Sequence, residues 1–97
     1  MNYRSDSIDR LFKAIALLET EEECAAFFED ICTIQEIQDM AQRLDTALLL
    51  GKGLNYQEIS KQVGVSTATI SRVSKCVNYG AGGYKTAIER LNEAENS

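Results

Sequence analysis

The segment Leu54–Cys76 reads LNYQEISKQVGVSTATISRVSKC, and it decides the fold. It holds two short helical patterns around a turn. The first spans about Tyr56 to Val63. Asn55 is placed to cap it, and Glu58, three residues on, can return a carboxylate to the cap's N–H. Ile59 and Val63, four apart, give that helix one apolar stripe. Gly64 follows, the residue at which a helix most cheaply enters the left-handed conformation. Val65 packs into the corner, and Ser66 offers a hydroxyl cap to a second helix. That helix turns Ile70, Val73 and Val77 inward at spacings of three and four. Thr67, Ala68, Thr69, Ser71 and Arg72 are left on or near its outer side.

Two steeply crossing helices need a small side chain where they touch, a glycine where the chain turns and apolar contacts that hold the angle. Ser60, Gly64 and the set Ile59, Val63, Val65, Ile70 and Val73 meet those needs, which is the pattern of a helix-turn-helix. An ordinary helical hairpin would explain the apolar spacing. It would not explain an outer face of small hydroxyl residues, where a solvated helix carries Glu and Lys. Such a face fits a major groove, where Thr67, Ala68, Thr69 and Ser71 would present methyls and hydroxyls to base edges. Tyr56, Gln57, Ser60, Lys61, Arg72 and Lys75 are the expected phosphate contacts, fixing register without reading sequence. The alternative is a helix-turn-helix whose outer face binds another polypeptide, and the low overall pI favours it. An enzyme is disfavoured: there is no histidine, no glycine-rich phosphate loop and no spaced carboxylate pair. No cofactor or metal is implied.

Ninety-seven residues make one domain, 1–97, with a modest core. We divide it into core and dimerisation helices (1–51), the helix-turn-helix (54–78) and a last helix (84–94). The net charge of −5 opposes nucleic acid until its distribution is read. Residues 1–51 carry four basic and eleven acidic side chains, net −7; residues 52–90 are net +4, and the tail 91–97 adds −2. Phosphates respond to the local patch within a Debye length of about 8 Å rather than to the total. No apolar run would span a bilayer and the start lacks a signal peptide's apolar segment, so a cytoplasmic location is expected. Cys24, Cys32 and Cys76 form no C-x-x-C pair and, with no histidine, no metal set. They are expected to be buried free thiols.

Outward from the motif, a helix is expected from Ser5 or Asp6 to about Glu19, with Ile8, Leu11, Phe12, Ile15 and Leu18 on one stripe. Thr20 and Glu23 form a capping box for a second helix, with Cys24, Phe27, Phe28 and Ile31 inward. Thr33 and Glu36 repeat that signal for a long third helix, about Ile34 to Leu50, with Ile37, Met40, Ala41, Leu44, Ala47 and Leu48 inward and Gly51 and Gly53 ending it. After Gly80, Gly82 and Gly83 comes the last helix, with Ala87, Ile88 and Leu91 inward. The result is an all-α fold of six helices. The first three carry more large apolar residues than one small motif can cover, which predicts a two-fold homodimer built around them.

The helix order and the segment Thr33–Cys76 resemble the Trp repressor family, and more closely its short branch often labelled YerC/YecD. The matching residues are Thr33-x-x-Glu36, Arg43, Leu48-Leu49-Leu50-Gly51, Gln57-Glu58-Ile59, Gly64 and Ala68-Thr69-Ile70-Ser71-Arg72; Asn78-Tyr79-Gly80 followed by Tyr84 favours the short branch. The resemblance covers most of the chain from the third helix on and is weak in the first twenty residues. It implies an intertwined all-helical dimer that represses by binding operator DNA. It also implies an effector pocket at Thr33, Arg43, Arg72 and Cys76, because the family's corepressor, L-tryptophan, sits with its indole between two arginines that Arg43 and Arg72 match. Two departures count against tryptophan: Val73 stands where the family has a glycine that leaves room for the ligand, and Cys76 where it has a serine that helps bind the amino group. Arg43 and Arg72 have a second reading, as partners of acidic neighbours such as Asp39 or Glu36 or of phosphate.

Overall fold

The computed structural model describes residues 2–96, and among them it contains α-helices and no strand. The helices are α1 (Asp6–Ala16), α2 (Glu21–Ile31), α3 (Ile34–Gly51), α4 (Tyr56–Val63), α5 (Thr67–Tyr79) and α6 (Gly83–Glu95). Among the described residues, no helix is long and apolar enough to cross a membrane. The chain divides into two compact units, Met1–Ile37 and Gln38–Ser97, and α3 starts in the first.

In the amino-terminal unit, side chains cap each helix start. Ser5 Oγ accepts from the Ile8 N–H at 3.1 Å and Thr20 Oγ1 from the Glu23 N–H at 3.1 Å. Thr33 Oγ1 accepts from the Glu36 N–H at 3.1 Å, and Glu36 Oε1 accepts from the Thr33 N–H at 2.8 Å, closing the reciprocal box. The Thr20 box closes differently: Glu23 Oε1 takes the N–H of Glu19 at 2.9 Å, one residue before the cap. That bond claims Glu19 for the start of α2, so α1 ends at Ala16 rather than at the expected Glu19. Arg4 donates to Asp9 and lies 4.9 Å from the Phe12 ring centroid; the bond to Asp9 raises its guanidinium pKa above the ordinary value. Phe27 and Phe28 meet edge to face at 5.8 Å. Yet neither α1 nor α2 contains a buried residue in the single chain. Leu17 is 68 % and Ile34 61 % exposed, and Leu11, Phe12 and Ile31 are exposed too. Ile8, Ile15, Leu18, Cys24, Phe27 and Phe28 of the expected stripes are half-buried, whereas Leu11, Phe12 and Ile31, expected inward, are exposed because no described residue covers them.

The second unit holds the core: Thr46 and Ala47 of α3, Ile59 of α4, and Ile70 and Val73 of α5 are buried. Thr46 is the unexpected member. Its hydroxyl donates to the Gln42 carbonyl at 2.7 Å, so a threonine occupies the interior without an unpaired proton. Ala41, expected inward, is exposed, as are Ala87 and Leu91 of α6, where Ile88 alone of the expected set is half-buried. Gly80 ends α5 at a position no other residue fits easily: a Cβ there would lie 2.3 Å from the Cys76 carbonyl oxygen.

Candidate nucleic-acid interface

The helix-turn-helix is assembled by bonds that the sequence announces. Asn55 Oδ1 accepts from the Glu58 N–H at 2.9 Å and Glu58 Oε1 from the Asn55 N–H at 3.0 Å. Gly64 takes φ +85° and its N–H returns to the Ser60 carbonyl at 2.9 Å. Ser60 Oγ then donates to the Val65 carbonyl at 2.7 Å, pinning the far side of the turn. Ser66 Oγ caps α5 by accepting from the Thr69 N–H at 3.2 Å, and donates its own proton to Thr69 Oγ1 at 3.2 Å. Buried Ile59, Ile70 and Val73 hold α4 against α5.

With that side of α5 turned inward, Thr67, Ala68, Ser71, Arg72 and Lys75 are exposed. Tyr56, Gln57 and Lys61 of α4 are exposed as well. Lys61, Arg72 and Lys75 have no acidic partner among the described residues. Two expectations change. Ser60 is half-buried and its only hydroxyl proton is spent on Val65, so it has none to give a phosphate. Thr69 is half-buried and tied to the cap; it stands at the edge of the outer face rather than in its middle.

The other flank of Thr69 lines a cavity of about 210 Å³ together with Arg43, Arg72, Val73, Cys76 and Tyr84. Three of the four expected pocket residues thus converge. The fourth, Thr33, lies in the amino-terminal unit, where it caps α3. Val73 is 2 % exposed, so both of its methyls already occupy interior space. Tyr84, in the first turn of α6, lines the cavity without belonging to the expected set, and its sequence position is the one signal for it. Cys76 is exposed and Cys24 and Cys32 are half-buried, so none of the thiols is sealed as expected. Cys76 falls short of burial because it sits on the cavity side of α5, not on the Ile70–Val73 side.

The sequence pattern of the family described as Trp repressor protein matches residues 6–92. The chain belongs to that family. It is 49 % identical over 92 residues, 95 % of this chain and 88 % of the other, to the uncharacterised protein YerC of Bacillus subtilis (strain 168). Among solved structures, a TrpR-like protein from Eubacterium eligens superimposes with a TM-score of 0.87 at 43 % identity, covering 92 % of each chain. A Staphylococcus aureus structure, described as that of a candidate Trp repressor, gives 0.86 at 44 % identity over 92 % of this chain and 89 % of that one. The all-α, Trp-repressor-like fold and the YerC-like branch are therefore those of this chain.

Proposed function

We propose that this chain is a sequence-specific transcriptional regulator, a repressor, which binds operator DNA as a homodimer in the cytoplasm. The observation that carries the reading is the outer side of the first turns of α5. Thr67, Ala68 and Ser71 stand exposed there while Ile70 and Val73, on the same helix, are buried. Such a surface offers hydroxyl donors and acceptors and methyl groups to base edges. Thr67, Ala68, Thr69 and Ser71 are assigned to bases; Tyr56, Gln57, Lys61, Arg72 and Lys75 to phosphates; Ser60 is withdrawn to a structural role. The unsealed stripes of α1 and α2 support a second copy as their cover. A two-fold dimer would set its paired α5 helices to reach successive major grooves about 34 Å apart.

The cavity beside Thr69 is assigned to a small-molecule effector other than tryptophan. At about 210 Å³, with buried Val73 already in its wall, it lies below the roughly 300–1,000 Å³ of ordinary ligand pockets. Titration calorimetry with L-tryptophan is expected to give millimolar or absent binding; micromolar binding overturns this assignment.

The function itself is tested by selecting genomic DNA fragments that the protein retains, at low and high salt, with and without cell metabolites. Enrichment of one paired half-site, lost as salt rises, is expected. Retention that is absent, or indifferent to salt, favours the protein-interaction module instead.

A further inference from the structure

Tyr79 is the most exposed large apolar residue among those described, at 86 %, and nothing so far assigns it a task. Its place on α5 is informative. At 3.6 residues per turn, Ala68, Arg72, Lys75 and Tyr79 fall within about 60° of one another around the helix. All four are exposed, and they lie opposite Ile70, Val73 and Val77. The outermost stripe of α5 therefore runs from a small residue through two cations to a phenol. Within the single chain its ring stands largely in water. An aromatic ring left in water contributes no burial, and Asn78 beside it bonds back to Ser74 Oγ instead, at 3.4 Å.

We infer that Tyr79 is a phosphate-positioning residue, its hydroxyl donating to the DNA backbone at the outer edge of the binding site. This rests on the DNA-binding reading above and extends it to the carboxyl end of the helix. The dimensions support it. Eleven residues separate Ala68 from Tyr79, about 16 Å along the axis at 1.5 Å per residue. The major groove is only about 12 Å wide and 8.5 Å deep. When Ala68 is at base edges, Arg72 and Lys75 reach the groove wall and Tyr79 has passed the bases, level with the phosphate ridge. A lysine or arginine at the last residue of a helix would be drawn to the helix's own unpaired carbonyls. A neutral phenol is not, and tyrosine is a regular donor to phosphate oxygens.

The distinguishing property is that Tyr79 carries no charge. A lysine contact releases counterions and steepens the salt dependence, whereas a phenol contact adds affinity without changing that slope. The experiment compares wild type, Tyr79→Phe, Tyr79→Ala and Lys75→Ala on one selected duplex between 50 and 300 mM salt, with phosphate-ethylation interference on each. Thermal melts are expected to coincide for wild type and both Tyr79 variants, since an exposed side chain is being changed. Tyr79→Phe is expected to bind roughly 10- to 100-fold more weakly at every salt concentration, as loss of one hydrogen bond to a charged group predicts. Its slope should equal that of wild type, and the outermost ethylation-sensitive phosphate should lose its effect. Lys75→Ala is expected to flatten the slope by about one unit per subunit, about two for the dimer. If Lys75→Ala weakens binding while both Tyr79 variants bind like wild type, the assignment of Tyr79 is overturned and the DNA reading stands. If wild type shows no salt-sensitive binding, both fall together.

Discussion

The two units of this chain treat their apolar residues in opposite ways. In residues 1–37, nine acidic and three basic side chains surround helices whose stripes of Ile, Leu and Phe reach no interior. In residues 38–97, six acidic and seven basic side chains surround a small set of sealed residues: Thr46, Ala47, Ile59, Ile70 and Val73. The second unit spends its burial on holding two helices at a fixed angle, and so keeps a polar helix face outside. The first half-buries Ile8, Ile15, Leu18, Phe27 and Phe28 but seals none of them, and it leaves Leu11, Phe12 and Leu17 exposed. The contrast holds in charge as well as in burial.

Substitutions break the contrast in order of expected effect. Ile70→Ala empties a sealed position that joins α4 to α5, and is expected to destabilise the fold by about 2–5 kcal/mol, read by denaturant unfolding at fixed protein concentration. Phe12→Glu changes an exposed residue of α1. It is expected to shift the protein from dimer toward monomer in multi-angle light scattering at micromolar concentration; a fully monomeric wild type contradicts the dimer. Ser71→Ala is expected to remove roughly 1–3 kcal/mol of discrimination at a single base pair of a site library, leaving other positions unchanged. Gly64→Ala places a Cβ at φ +85° and is expected to lose about 1–2 kcal/mol of stability through left-handed strain. Thr69→Ala is a poorer probe of specificity than Ser71→Ala, because it also removes the oxygen that receives the Ser66 hydroxyl.

The helix starts could be read from single residues, because a cap is a local event. Ser5, Thr20, Thr33, Asn55 and Ser66 each precede their helix and each accept the expected bond. What could not be read depends on which of several competing bonds a side chain makes, or on what covers a helix face. Glu23 bonding one residue before its cap, and so shortening α1, is a competition between two helices for one N–H. Thr46 looks like a surface residue until its bond to the Gln42 carbonyl is seen. Ala87 and Leu91 fit an inward stripe by spacing, yet are exposed, since periodicity tells which face is apolar and not what covers it. In the candidate site, the exposed Thr67, Ala68 and Ser71 follow from the helical period alone. The internal use of Ser60 and the half-burial of Thr69 do not, because both follow from how the turn closes.

The most direct test is backbone-amide NMR of the intact protein, titrated with a selected duplex at moderate salt. The largest shifts are expected on Thr67 to Arg72, with smaller ones at Tyr56, Gln57, Lys61 and Lys75, and α1 and α2 are expected to stay unmoved. Shifts concentrated on α1 and α2, or none on α5 at saturating duplex, would contradict the proposed interface.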